Sequence, residues 1–195
     1  EQRVNELTRW LSALPALVAA AALTWVVSVL QRNVTIVDTL WPLLFVLATA
    51  VYAGTAAEPG PRAWLVSALV GAWGLRLAAY LAWRNWGHEE DRRYQAIRRR
   101  NEPHFALKSL WLIFGFQAAL AWLISLPLAG AIAGQAPLGA LDALGVALWA
   151  VGVVFEAVGD WQLMRFKRDP ANAGRVMDRG LWRHTRHPNY FGDFC

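Results

Sequence analysis

Residues Trp10–Leu30, WLSALPALVAAAALTWVVSVL, run for 21 positions without a charged side chain. About 20 apolar residues in a helix cross the hydrocarbon core of a bilayer, so this stretch is one span long. It has no polar stripe at a 3.6-residue period, which a helix lying on a soluble core would carry. A secretory signal would need a basic amino end, a shorter apolar core and a small-residue cleavage site, and none of these is present. The segment reads as a retained transmembrane helix.

The same pattern recurs along the chain. Thr39–Ala57 is uncharged for 19 residues and Ser109–Leu141 for 33. Across all 195 residues, 56% are hydrophobic and only 17% charged, with 12 tryptophans, so a soluble domain with a large buried core is excluded. The expected fold class is an all-α, polytopic transmembrane helical bundle of about five spans, near residues 10–30, 37–53, 63–83, 109–131 and 141–164. Glu58-Pro59-Gly60-Pro61 and the uncharged stretch Gly134–Gly139 mark turns. A short interfacial helix is expected around Asp91–Arg100. Pro127 lies within or ends the fourth span. Residues 165–195 form a polar tail on a single membrane domain.

The net charge of +5 comes from two blocks. Arg84–Lys108 holds seven basic residues and Arg165–Arg186 another seven, together 14 of the 19 Lys and Arg. Basic loops stay cytoplasmic. Two spans separate the blocks, so both can face the cytoplasm, with the amino terminus outside and the tail inside. This accounts for the basic pI without a nucleic-acid partner; the partner is the lipid bilayer. Cys195 is the one cysteine, which excludes an internal disulfide and a multi-cysteine metal site. The sequence sets no oligomeric state.

Ionisable groups inside spans are costly and therefore mark candidate sites. Arg76 lies near the end of the third span with Tyr80 four residues on, hence on one face. Arg76 is read either as snorkelling to the interface or as lining a polar cavity. Asp38 opens the second helix, where the helix dipole favours an acid. Glu156 and Asp160 are one turn apart on the fifth helix, with Lys167 further along. They form either an ion-pair network or a polar pocket.

The most specific segment is Gly180-Leu181-Trp182-Arg183-His184-Thr185-Arg186-His187-Pro188-Asn189-Tyr190-Phe191-Gly192-Asp193. Arginine forks match phosphate oxygens, and Trp182 or Tyr190 can stack on a base. His184 and His187 stand three apart without a third ligand, so no metal is expected.

This motif, together with Glu156–Leu163, Phe166-Lys167, Pro170 and Asn172, resembles a bacterial membrane family of formerly unknown function related to the steroid 5-alpha-reductases. Val37-Asp38 with Trp41, Trp73–Leu77 and Glu90–Tyr94 resemble it further. The resemblance implies an NADPH-dependent reductase of a carbon–carbon double bond conjugated to a carbonyl, in a steroid-like or other apolar lipid, in the bacterial inner membrane. It implies cofactor contacts from Asp160, Lys167 and Asn189. Glu156, Arg179, Arg183, Arg186, His187 and Tyr190 join them as candidates, the arginines on charge. Asp38, Arg76 and Tyr80 are the candidate catalytic residues. The steroid enzymes use a tyrosine with a glutamate, where this sequence aligns Trp73 and Asp38, and Asp193 stands where glutamate is usual. The family motif leads into a further hydrophobic helix, so the sequence is expected to be either a fragment or a shortened member of the family. Arg186–Gly192 is also similar to the isoprenylcysteine carboxyl methyltransferases, which use S-adenosylmethionine. A non-enzymatic lipid-binding protein is the third reading.

Overall fold

The computed structural model describes residues 6–56 and 58–195. Among them there are helices and turns but no strand. The α-helices of the described residues are α1 (Glu6–Gln31), α2 (Ile36–Gly54), α3 (Pro61–Asn85), α4 (Arg92–Asn101), α5 (Phe105–Ser109), α6 (Phe116–Ile124), α7 (Leu126–Ala133), α8 (Ala140–Arg168) and α9 (Pro188–Phe194). A π-helical turn, Leu110–Gly115, joins α5 to α6. Among the described residues five segments are long and apolar enough to cross a membrane: Leu7–Gln31, Ile36–Gly54, Pro61–Asn85, Phe105–Ala133 and Ala140–Arg168. The protein is thus an all-α, polytopic helical membrane protein.

The chain divides into two compact units, one ending at Pro137 and one running from Leu138 to Cys195. In the first, α2 is the central helix, packed on α1 and α3. Ala13, Leu17 and Ala21 recur every four residues on α1 and are fully or almost fully buried, as are Val37, Leu44 and Ala48 on α2. The α2–α3 contact depends on Gly74. A Cβ there would stand 2.5 Å from Val46 Cγ2 and 3.0 Å from the Pro42 carbonyl oxygen. Small residues let membrane helices approach this closely, where packing rather than water exclusion drives association. Trp41 and Trp73 meet the Phe45 ring edge-on, at 5.1 and 5.9 Å.

The fourth span is segmented. Pro127 lacks the N–H that would continue the helical ladder, and the helix breaks at Ser125 before resuming as α7. Pro127 therefore divides the span rather than ending it. The groups exposed by the break find partners: Ser125 Oγ donates to the Trp122 carbonyl at 2.8 Å and lies 2.6 Å from the Tyr52 hydroxyl. The span is held to α1 by a stacked Trp10–Trp122 pair, 3.9 Å between centroids. Each indole N–H of that pair donates to the other residue's carbonyl, at 2.9 and 3.0 Å.

In the second unit, α8 is capped by Asp142, whose carboxylate accepts from the Gly139 N–H at 2.8 Å. The tail folds back on its far end. Helix α9 lies against a face of α8 made of Gly152, Glu156 and Gly159.

Candidate functional site

Two polar constellations stand out, one in each unit. In the second unit the tail is shaped by side chains of the last turns of α8. Asp169 accepts from the Ala171 N–H and starts a tight turn over Pro170–Asn172. Asn172 Nδ2 donates back to the Phe166 carbonyl at 3.0 Å. The chain then reverses at Gly174 (φ +75°) and Gly180 (φ +59°), a left-handed geometry that glycine takes without Cβ strain. Gln162 Oε1 accepts from the Leu181 N–H at 2.9 Å, and the Trp182 indole N–H donates to the Gly159 carbonyl at 3.0 Å.

The loop so held encloses a cavity of about 730 Å³. Its walls include the aromatic faces of Phe166 and Trp182, the cations Lys167, Arg175 and Arg186, the acids Asp169 and Asp178, and His187. The size falls in the range of small-molecule and cofactor sites, and so does the mixture of apolar wall and few charged groups.

Of the sequence-predicted cofactor residues, this cavity brings together Lys167, Arg186 and His187. Arg179 and Arg183 are exposed outside its lining. Tyr190 is 61% exposed, with its ring 5.0 Å from that of His187. Glu156 and Asp160 are buried, at 2% and 8% exposure. Asn189 lies two residues past His187, and its Oδ1 is buried with no hydrogen-bond partner. Arg175, Asp169 and Asp178 line the cavity without having been singled out in the sequence. They sit in an irregular loop whose course no periodicity reveals.

The residues present fit a phosphate-bearing cofactor. Three cations outnumber two carboxylates, and two aromatic residues, Phe166 and Trp182, line the wall. Among the described residues no group of three or more His, Cys, Asp or Glu could hold a metal.

The second constellation, in the first unit, centres on Asp38 in the first turn of α2. Its Oδ1 accepts from the Tyr94 hydroxyl at 2.6 Å and its Oδ2 from Arg93 at 3.1 Å. Glu90 accepts two bonds from Arg98, at 2.9 and 2.8 Å, and a third from the Val34 N–H at 3.0 Å. Thr35 Oγ1 accepts from the Asp91 N–H at 2.8 Å. Asp91 in turn caps α4, accepting from the Arg93 N–H at 2.8 Å. The link between α1 and α2 and the start of α4 are thus bound by charge-assisted bonds, the stronger kind.

Burial, and then the charge of Asp38, push the Tyr94 phenol above its ordinary value. Burial alone would raise Glu90, but the bonds from Arg98 and Val34 outweigh it and hold the carboxyl below the usual range. The Arg93 bond likewise lowers Asp91 against a smaller effect of burial.

Arg76 and Tyr80 lie partly buried on α3, with the Arg84 guanidinium 5.7 Å from the centroid of the Tyr80 ring. The tyrosine seen to donate to Asp38 is Tyr94, which the sequence had not offered as a candidate. The signal was the Glu90–Tyr94 stretch itself, which shares no helix or period with Asp38.

The family model described as "Protein of unknown function (DUF1295)" matches residues 24–195. No curated protein and no solved structure matches the chain.

Proposed function

The chain belongs to the DUF1295 family, and from the site described above we propose that it is a membrane-embedded, NADPH-dependent reductase of a conjugated carbon–carbon double bond in an apolar, steroid-like or other lipid substrate. The observation that carries this reading is the cavity of the second unit, with Lys167, Arg175 and Arg186 beside Phe166 and Trp182. Guanidinium forks and an ammonium suit the pyrophosphate and 2′-phosphate of a dinucleotide. Planar walls suit its bases.

When bound, a reduced nicotinamide supplies a hydride. The chain's own work is to hold phosphate, to exclude water and to stabilise negative charge on the substrate's carbonyl oxygen. Lys167, Arg175 and Arg186 do the first, with Arg179 and Arg183 as outer cations. The wall of Phe166 and Trp182, fixed by the indole bond to Gly159, does the second. Asp38 of the first unit accepts hydrogen bonds from Arg93 and Tyr94. Its setting is an integral membrane protein, proposed to lie in a bacterial inner membrane with the tail cytoplasmic.

The deciding measurement is a titration of the purified chain in detergent with NADPH, NADH and S-adenosylmethionine. NADPH is expected to bind best. Lys167→Ala and Arg186→Ala are each expected to weaken it about tenfold to a hundredfold, the worth of a hydrogen bond to a charged group. Binding of S-adenosylmethionine with none of NADPH would overturn the reading and favour a methyltransferase. The acids Asp169 and Asp178 would then be the partners of its sulfonium.

A further inference from the structure

The first unit holds a second cavity, about 420 Å³, that the reductase reading does not use. It lies where three spans end or begin. Gln31 closes α1, Ile36 and Thr39 open α2, and Asn85 and Trp86 end α3. This end of the unit is rich in arginine, yet no residue lining the cavity carries a carboxylate, an ammonium or a guanidinium.

The polar groups of the wall are fixed in advance. Asn33 commits both ends of its amide: Oδ1 accepts from the Thr35 N–H at 2.9 Å and Nδ2 donates to the His88 carbonyl at 3.3 Å. Asn85 commits only one. Its Oδ1 accepts from Arg84 Nε at 3.1 Å, which sets the orientation of the amide. Its Nδ2 is left buried with no hydrogen-bond partner. A buried donor without a partner is rare in a folded protein. His88 Nδ1 lies 2.9 Å from the Trp86 carbonyl, which can only accept. Nδ1 is therefore the donor, and Nε2 of the neutral ring is the atom left to accept.

The wall thus offers an orphaned amide donor, an imidazole acceptor and the Thr39 hydroxyl beside an indole that is 83% exposed. No charged side chain lines the cavity itself, and the nearby Arg84 guanidinium is engaged by Asn85 Oδ1. A hydroxyl group both donates and accepts, and so answers Asn85 and His88 alike. The C–H face of a sugar ring suits the flat face of Trp86. The span ends place the cavity at headgroup depth. Leu30, 78% exposed, and Trp83, 52% exposed, lie in the adjoining ends of α1 and α3 as exposed apolar surface.

We propose that this cavity binds the neutral, hydroxyl-rich headgroup of a membrane lipid, of the hexosyl-diacylglycerol class. The site is independent of the cofactor cavity, so either reading can fail without the other.

Native mass spectrometry of the full chain, released from a sugar-free zwitterionic detergent, tests it. The probes are monoglucosyl-diacylglycerol, diacylglycerol and phosphatidate, with octyl glucoside and glucose as competitors. One glucolipid is expected to be retained, about tenfold or more better than diacylglycerol. Octyl glucoside should displace it where equal glucose does not. Asn85→Leu and Trp86→Ala should each cut retention about tenfold while phosphatidate retention stays unchanged. Trp86 is exposed, so its truncation keeps the test open if the Asn85 variant does not fold. Equal retention of diacylglycerol, or undiminished glucolipid binding in Trp86→Ala, would overturn the proposal. Displacement by glucose alone would assign the cavity to a soluble sugar and overturn the lipid. Preference for phosphatidate would make it an anion site.

Discussion

Asp38 gives one carboxylate oxygen to Tyr94 and the other to Arg93, so a single side chain ties the start of α2 to two residues of α4. Its position at a helix start was legible in the sequence, but its partners, 55 and 56 residues away, were not. Pairing across that distance is decided by how the spans pack. Beside it, Glu90 and Asp91 are held below their ordinary carboxylate values. A group whose folded pKa is depressed stabilises the fold above its unfolded value and loses that contribution as pH falls through the folded one. Tyr94 is raised, so its contribution is present below the ordinary tyrosine value and is lost as pH climbs through the folded one. The Val34 and Asp91 amides, which donate to Glu90 and Thr35, report on this junction. Their hydrogen-exchange protection, corrected for intrinsic rate, should hold between roughly pH 5 and 9 and fall below the usual carboxylate range. In Glu90→Gln the acid dependence at Val34 should flatten. Protection that persisted unchanged to about pH 3 would show that these charges do not hold the junction.

Helix α9 is an element that no sequence pattern announces. Its seven residues, Pro188–Phe194, are too few to show a period and too few to be stable alone. Docking supplies the missing stability. Pro188 Cγ would stand 3.1 Å from a Cβ on Gly159, and a Cβ on Gly192 would stand 2.5 Å from the Gly152 carbonyl oxygen and 2.9 Å from Glu156 Cβ. The glycines of the Gly180–Asp193 motif are therefore partly structural. The five spans, by contrast, could be read from length and apolar composition, three of them from uncharged runs. The π-helical turn and the break at Ser125 could not, because they answer to packing and to the position of Pro127. Gly192→Val should force α9 off α8, at a cost of about 1–3 kcal/mol as in other overpacked contacts. The expected readout is faster proteolysis within 169–187 and loss of NADPH binding, with exchange protection in α1–α3 unchanged. A variant that kept its tail protected would show that the glycine seam does not fix the loop.

Charge is distributed over the whole molecule in a way that predicts its orientation. The link between α1 and α2 carries Arg32, and the two blocks of seven basic residues fall on the α3–α5 link with the helix ends beside it and on the last turn of α8 with the tail after it. The intervening links, 55–60 and 134–139, carry one charge between them, Glu58. Crossing five spans in turn, the basic links all fall on one side and the near-neutral ones on the other, so no span conflicts with its neighbours. Lys and Arg in short loops resist translocation, and Asp and Glu contribute little. The bilayer orientation follows: reporters fused after Ala133 should read outside, and those fused after Arg100 or Arg168 inside. The same orientation puts the walls of the second unit's cavity, Lys167 to His187, in the compartment where NADPH is made. A reporter read outside after Arg168 would remove the cofactor from reach and the reductase reading with it, whatever the affinity measured in detergent.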